Sequence, residues 1–169
     1  MIEKAFRLLG TVNSKVGKLA SFLILLLNIT VLYEVIARYV FNAPTAWNFK
    51  LTSFLYGGAC ILAGAWVLYE NRHVSIDLIS MRLSPKARAI VNIVTYLFLF
   101  FPFVGIILWK GIDQAVWSWQ MNQHDFETPW GPPVYPIKTV IPVAVFLLLL
   151  QGIAIWIRDL LFLIKEKKQ

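Results

Sequence analysis

The sequence predicts an all-α integral membrane protein with four transmembrane helices, on three observations. Four apolar stretches, each about long enough to cross a hydrocarbon core of roughly 30 Å, occupy most of the 169 residues. These stretches do not alternate polar and apolar residues, as barrel strands would, so helices must satisfy the backbone polar groups in lipid. Hydrophobic residues make up 59% of the chain, more than in ordinary soluble domains. The length indicates a single membrane domain.

The spans are predicted at about residues 19–41, 51–69, 89–109 and 139–163. Residues 1–18 carry Ile2, Phe6 and Leu9 at helical spacing. This spacing predicts a short amphipathic helix that lies on the inner membrane surface. A second interfacial helix is expected between spans two and three, where apolar and polar residues are interspersed.

The distribution of positive charge predicts the orientation of the chain. Twelve of the 16 Lys and Arg precede span one, connect spans two and three, or lie at the end of span four and after it. An excess of Lys and Arg marks the cytoplasmic side, so both termini are predicted to be cytoplasmic. The net charge of +7 is then explained by contact with anionic membrane lipids, and nucleic acid is not an expected partner.

The connections between spans differ in character. Asn42 begins a tight turn after span one, and Trp47 suits the outer interface. Ser84 and Pro85 are predicted as the N-cap and first residue of the third helix. The external segment, residues 110–138, is expected to extend that helix in its first half and to be irregular in its proline-rich second half.

Glu34 and Arg38 are the charged residues of span one. They are four residues apart, which places them on one helix face near its outer end. An ionisable residue in a span suggests a function by default. A structural or subunit-facing ion pair is the favoured interpretation, because Arg38 can neutralise Glu34. A carboxylate that binds a proton or substrate is the alternative.

Metal, redox and catalytic chemistry find little support in the sequence. His73 and Asp77 are also four apart, but two ligands make a poor metal site, so a helix-end contact or a partner contact is favoured. Cys60 is the single cysteine and cannot form an internal disulfide. Without a recognisable catalytic constellation, the chain is predicted not to be an enzyme and to need no cofactor.

Span two carries a stripe of small residues at helical spacing, which allows another helix to approach closely. Packing within this chain is slightly favoured over packing against a partner. The stripe consists of Ser53, Gly57, Cys60 and Gly64. At the start of span four, Lys138 is expected to reach the outer interface, and Pro142 is expected near the first turn.

Several of these residues together resemble one known family. Residues 38–42 (RYVFN), Pro44 and Trp47 look like the end of span one in the small membrane subunit of tripartite ATP-independent periplasmic (TRAP) transporters, the DctQ-like family. Residues 64–65 (GA) and 73–77 (HVSID) continue the resemblance, which covers roughly residues 20 to 160.

The sequence departs from the DctQ-like pattern directly after the tryptophan. Asn48, Phe49 and Lys50 stand where acidic residues are frequent in the family. Any partner contact that the family makes through those acids is therefore not expected in this chain.

The resemblance implies a role in the bacterial or archaeal cytoplasmic membrane. In such systems a periplasmic solute-binding protein delivers an organic acid, typically a carboxylate, to a membrane complex. A large multi-span (DctM-like) subunit carries the substrate with an ion, usually sodium. The small subunit is a scaffold. A self-contained four-helix exporter and a membrane assembly factor are the alternatives.

Overall fold

The computed structural model describes residues 2–69 and 84–166, with side chains for residues 9–69 and 84–164. Its elements are α1 (Ile2–Tyr39), α2 (Asn48–Tyr69), α3 (Pro85–Thr95), a π-helical turn (Tyr96–Phe100), α4 (Phe101–Gln120) and α5 (Tyr135–Glu166). The helical segments long and apolar enough to cross a membrane are Leu9–Tyr39, Asn48–Tyr69, Pro85–Gln120 and Tyr135–Ile164. The predicted all-α architecture with four spans is confirmed.

Helix α1 differs from the expectation of a separate surface helix followed by a span. It continues without a break from Ile2 to Tyr39. The two glycines in its first half are points of close contact with α2. A Cβ atom on Gly10 would lie 2.7 Å from the ring of Tyr69, and one on Gly17 would lie 2.6 Å from that of Trp66. The glycines therefore let α2 approach α1, and the position of residues 2–18 relative to the bilayer stays a prediction.

The third span consists of α3, the π-helical turn and α4. It begins as predicted, because the Ser84 hydroxyl accepts a hydrogen bond from the Ala87 backbone N–H at 3.3 Å, with Pro85 next in the chain. The π-helical turn ends two residues before Pro102. Proline has no N–H and crowds the preceding turn, and the wider π-helical turn relieves that crowding. Helix α4 then extends to Gln120, as expected from the sequence.

Helix α5 is the central helix of the bundle, since it contacts α1, α2, α3 and α4. Its start corrects one prediction. The helix begins at Tyr135, so Pro142 lies inside it rather than near its first turn, and Pro136 occupies the first turn instead. Gly111 of α4 faces this proline, because a Cβ atom there would be 3.7 Å from Pro142 Cδ. A small residue thus accommodates the ring at the contact between the two helices.

The most tightly packed apolar cluster lies between α2, α5 and the π-helical turn. Leu68, Tyr96 and Ile155 are buried together, and Phe100 packs against them. Phe100 lies so close to α5 that a Cβ atom on Gly152 would be 2.1 Å from its ring. The absence of a side chain at Gly152 therefore makes room for the ring that the π-helical turn directs toward α5.

Candidate functional site

The charged pair predicted in span one is the centre of a polar cluster at the C-terminal end of α1 (Glu34, Arg38, Thr45 and Asn48). It is here called the outer cluster, because the predicted orientation places this end of the bundle outside; "inner" is used in the same sense for the opposite end. Arg38 Nη2 lies 2.8 Å from Glu34 Oε1. The Thr45 hydroxyl donates to Glu34 Oε2, and the Thr45 backbone N–H lies 3.3 Å from the same oxygen. The carboxylate is only 15% exposed, whereas Arg38 is 56% exposed. Glu34 therefore holds the turn between α1 and α2 in addition to pairing with Arg38.

Asn48 connects the outer cluster to the start of α2. Its Nδ2 donates to the Thr30 carbonyl at 2.8 Å and lies 3.4 Å from Glu34 Oε2. The Asn48 side chain is buried, and its Oδ1 has no hydrogen-bond partner among the described residues. These bonds join the first residue of α2 to two successive turns of α1.

The turn itself closes on Asn42 and Trp47, both predicted from the sequence as boundary residues. Asn42 adopts a left-handed backbone with φ of 50°, which asparagine tolerates better than most residues at a helix C-terminus. The Ala43 N–H donates to the Ala37 carbonyl at 3.0 Å. Trp47 stacks on Tyr33, with ring centroids 5.7 Å apart. The turn therefore has a defined conformation at the end of the span.

A second polar group, here called the outer clasp (Lys50, Asp125, Glu127 and Thr128), joins α2 to the external segment. Lys50 Nζ lies 2.6 Å from Asp125 Oδ1 and 2.9 Å from Glu127 Oε2. Thr128 donates to Asp125 Oδ2 from its hydroxyl at 2.7 Å and from its backbone N–H at 3.1 Å. Lys50 thus pairs with two acids of its own chain.

The electrostatics of the outer clasp are clearest at Asp125, which lies outside the spans. The Lys50 ammonium, and then the Thr128 hydroxyl, donate hydrogen bonds to its carboxylate and hold the pKa of Asp125 below its ordinary value. The Asp125 carboxylate therefore keeps its negative charge, and the contact with Lys50, at acidities where a free aspartate would be protonated.

Lys138, at the start of α5, binds the part of the external segment that directly follows α4. Its Nζ donates to Gln123 Oε1 at 2.7 Å, and the Ser118 hydroxyl donates to the same oxygen at 3.0 Å. Asn122, with φ of 45°, ends α4 in a left-handed residue, and the Gln123 N–H donates to the Ser118 carbonyl at 3.0 Å. Lys138, which the sequence predicts to extend toward the outer interface, thus makes a specific contact with the external segment.

Among the described residues, the small-residue stripe of α2 does not pack against another helix. Ser53 and Cys60 are exposed, and a Cβ atom on Gly57 or Gly64 would meet nothing within 4 Å. The intrachain packing that the sequence favoured is therefore not found within the part of the chain that the structure describes. The face that α2 does bury includes Gly58, Ala59, Ala65 and Leu68, because α1 and α5 contact α2 on that side.

Two polar contacts between helices lie toward the inner end, and the sequence analysis did not identify them. Asn13 Nδ2 donates to Gln151 Oε1 at 2.8 Å, and both residues are buried. About two turns further along α5, Asp159 accepts from Asn92 Nδ2 at 3.0 Å. The sequence feature that could have predicted these contacts is the presence of amide side chains inside apolar spans, because such residues favour hydrogen bonds between helices in lipid.

The remaining predicted pair, His73 and Asp77, lies outside the described residues. Within residues 2–69 and 84–166, no group of three or more His, Cys, Asp or Glu is arranged to hold a metal ion. The side chains that the structure brings together at the outer end form ion pairs and hydrogen bonds within the chain. Such an arrangement fixes helix ends and the external segment relative to one another.

Comparison with known proteins identifies the family. The sequence profile of "Tripartite ATP-independent periplasmic transporters, DctQ component" matches residues 27–162. A relative from Haemophilus influenzae (strain ATCC 51907 / DSM 11121 / KW20 / Rd), whose name describes a TRAP transporter small permease protein, is 24% identical over 123 residues. The match covers 72% of this chain and 73% of that protein. No solved structure is significantly similar.

The matched region contains the outer cluster, the outer clasp, the last third of α1, all of α2, α3 and α4, and most of α5. The resemblance drawn from residues 38–42 and the residues that follow is therefore confirmed. The chain belongs to the DctQ family, the small membrane components of TRAP transporters, and it is a multi-pass protein of the bacterial inner membrane.

Proposed function

We propose that this chain is the stationary accessory subunit of a TRAP-type secondary transporter that imports organic acids, typically carboxylates. In this proposal a large multi-span, DctM-like subunit carries the substrate together with sodium ions, and a periplasmic solute-binding protein delivers the substrate. The chain itself has no substrate site. Its task is to give the large subunit a fixed neighbour in the membrane.

The observation that carries this proposal is the pairing of charges at the outer end. Glu34 is held by Arg38, Thr45 and Asn48, and Lys50 is held by Asp125 and Glu127. A carboxylate substrate crossing the bilayer needs polar or charged groups to replace its water. The charged groups of the outer cluster and outer clasp are already engaged with each other.

A cavity in the outer half of the bundle supports the same conclusion. It has a volume of about 500 Å³ and lies beneath the external segment, between α1, α2 and α5. Its lining is apolar and includes Leu23, Phe54 and Trp130. A charged substrate placed there would lose its hydration without gaining hydrogen bonds, which is strongly unfavourable.

The self-contained exporter is less well supported by the geometry. Such a protein would need a membrane carboxylate that is free to exchange a proton or bind a cation. Glu34 instead accepts hydrogen bonds from the Thr45 backbone and from Arg38 at 3.3 and 2.8 Å. Those contacts favour a fixed, ionised and structural carboxylate.

The proposed docking face for the large subunit includes the small-residue stripe of α2. Gly57 and Gly64 leave open space on this face, and small residues permit the close approach of a neighbouring helix. The exposed guanidinium of Arg38 lies at the outer end of α1. It is available there to an acid of the partner as well as to Glu34.

The docking face is tested with a matched pair of variants. Gly57→Leu/Gly64→Leu places two bulky side chains on the stripe, while Gly105→Leu places one in open space on α4. We expect the α2 variant to lose copurification with the large subunit and the α4 variant to retain it, both with wild-type helicity by circular dichroism. Equal copurification of both variants contradicts the docking face without contradicting the accessory role.

The accessory role is tested by reconstitution into liposomes under a sodium or proton gradient. We expect organic-acid uptake only when the chain, the large subunit and the solute-binding protein are all present. Gradient-driven transport of an organic acid or a drug by this chain alone would overturn the assignment.

The orientation with both termini in the cytoplasm is part of the proposal and has its own test. In a Cys60→Ser background, a cysteine at Phe126, which is 92% exposed in the external segment, should react with an impermeant thiol reagent added to intact cells. A cysteine appended after Gln169 should react only after the cells are opened. The reverse pattern would refute the orientation.

A further inference from the structure

We propose that a groove between the inner parts of α1 and α2 binds the phosphate of an anionic phospholipid headgroup. The groove has a volume of about 490 Å³ and is lined by Thr11, Ser14, Lys15, Lys18 and Tyr69. The residues of α1 that line it precede residue 27, where the match to the DctQ family begins. The site goes beyond the proposed transport function and does not depend on it.

The two lysines of this groove differ from the other cations of the chain. Among the lysine and arginine side chains that the structure describes, Lys15 and Lys18 alone make no ion pair, hydrogen bond or ring contact. Arg38 and Lys50 pair with acids, and Lys138 binds Gln123. Spaced three residues apart, Lys15 and Lys18 project from one helix face, so the groove has two positive charges without an internal counterion.

Hydroxyl groups complete a set of donors suited to a phosphate. Thr11 and Ser14 line the groove from α1, and Tyr69 lines it from α2. The tyrosine is held in position by its contact with Gly10, where a Cβ atom would be 2.8 Å from the Tyr69 hydroxyl oxygen. Ammonium and hydroxyl donors together form charge-assisted hydrogen bonds with phosphate oxygens.

The position of the groove along the helices indicates a lipid as the source of that phosphate. Helix α2 has 22 residues from Asn48 to Tyr69, or roughly 33 Å, close to the thickness of the hydrocarbon core. With Asn48 at one boundary, Tyr69 lies at the opposite headgroup level. On the proposed orientation this is the cytoplasmic leaflet, where basic pockets between spans bind anionic headgroups.

The experiment uses the full chain in mild detergent, titrated with phosphatidylglycerol or phosphatidylcholine and monitored by native mass spectrometry. The test variant is Lys15→Gln/Lys18→Gln, and the control Lys86→Gln/Lys110→Gln removes the same number of charges elsewhere. We expect the test variant to bind phosphatidylglycerol roughly 20- to 30-fold more weakly. Each lysine is expected to contribute about fivefold to the affinity, and the two factors multiply. The control should bind it as the wild type does, and phosphatidylcholine should bind weakly to all three.

A Tyr69→Phe variant gives a second measurement, because it removes the hydroxyl and keeps the ring that packs on Gly10. We expect it to weaken phosphatidylglycerol binding several-fold without reducing helicity. Excess inorganic phosphate forms the other arm, and it should displace little of the bound lipid. Unchanged lipid binding in the Lys15→Gln/Lys18→Gln variant, an equal loss in the control, or full displacement by inorganic phosphate would each overturn the proposal.

Discussion

The outer and inner ends of this bundle are held together in different ways. At the outer end, the outer cluster joins α1 to α2, and the outer clasp joins α2 to the external segment through full charges. At the inner end, the polar contact between α1 and α5 is a neutral amide pair, Asn13 with Gln151, and Lys15 and Lys18 have no partner among the described residues. The outer end is therefore cross-linked by its own side chains, whereas the inner end leaves cations available to lipid.

This difference suggests a division of labour. An end that meets soluble components needs a surface whose shape is fixed without help from the bilayer. Phe126 is exposed in the external segment, next to Asp125, whose carboxylate is bound by Lys50 and Thr128. In the proposed orientation the inner end would meet anionic lipid, and binding of a lipid phosphate at Lys15 and Lys18 would satisfy the positive charge there. The following predictions test this contrast, from the largest expected effect to the smallest.

The largest effect is expected for Glu34→Ala, because this change leaves Arg38, Thr45 and Asn48 without their shared acceptor. We expect a strong loss of folded protein, measured by size-exclusion chromatography and thermal unfolding in detergent. Arg38→Gln should be milder, since the arginine is 56% exposed. Glu34→Gln should be intermediate and partly rescued by adding Arg38→Gln. Normal folding and assembly of Glu34→Gln with loss of ion coupling would instead favour a transporting carboxylate.

Gly152→Ala tests how tightly the apolar cluster around Phe100 is packed against α5 in the inner half. The added methyl group would overlap the ring of Phe100, and overpacking of this kind costs about 1–3 kcal/mol of unfolding free energy. Gly64→Ala is the matched control, because its Cβ atom meets nothing within 4 Å among the described residues. Chemical unfolding monitored by circular dichroism should separate the two variants. Equal stability would show that Phe100 moves aside freely.

Asn13→Ala measures the amide pair of the inner end. We expect a loss of about 1 kcal/mol, the usual value for a hydrogen bond between spans. Asn28→Ala is the control, since Asn28 Nδ2 donates to the Ile24 carbonyl of its own helix at 2.8 Å. Replacing both partners with leucine should cost less than the sum of the single changes, because no buried donor or acceptor is then left alone. Additive losses would mean that the pair does not act as a unit.

Acid should loosen the outer end selectively, although the effect is the smallest of the four. The folded pKa of Asp125 is lowered by Lys50 and Thr128. Its stabilising contribution is therefore present above the unfolded-state pKa and is lost as pH falls through the lowered folded value. The protection factors of residues 123–134, which correct for the slower intrinsic exchange in acid, should fall in this pH range, while those around Asn13 should not. Asp125→Asn should already exchange rapidly at neutral pH and show little further change in acid.

The sequence predicted the architecture well because hydropathy and local signals determine it. The four apolar stretches became four spans, Ser84 caps the third helix, and Asn42 ends the first. Glu34 and Arg38 pair as predicted because their spacing alone brings them together. In each case the information lies within a few residues of the chain or in the mean hydropathy of a window.

The long-range contacts could not be predicted in this way. Lys50 and Asp125 are far apart in sequence, and their meeting depends on how α2, α4 and the external segment pack. The small-residue stripe shows the same limit, because helical spacing identifies a face without showing which neighbour covers it. The continuity of α1 was missed because the amphipathic spacing of residues 1–18 does not show whether that helix continues into the span.

The π-helical turn at Tyr96–Phe100 has a consequence for the rotational register of the third span. Relative to a regular α-helix, one additional residue in a turn rotates everything after it by about 100°. Two contacts of the outer half with α5 depend on this rotation. Gly111 faces Pro142, and Trp119 Nε1 donates a hydrogen bond to the Thr139 hydroxyl at 2.8 Å. Deleting one residue within the turn would restore a regular helix locally, yet it would turn the outer half of the span away from α5. A helical-wheel projection of this span therefore needs a separate wheel for each half. Engineered cross-links should be designed from those two wheels.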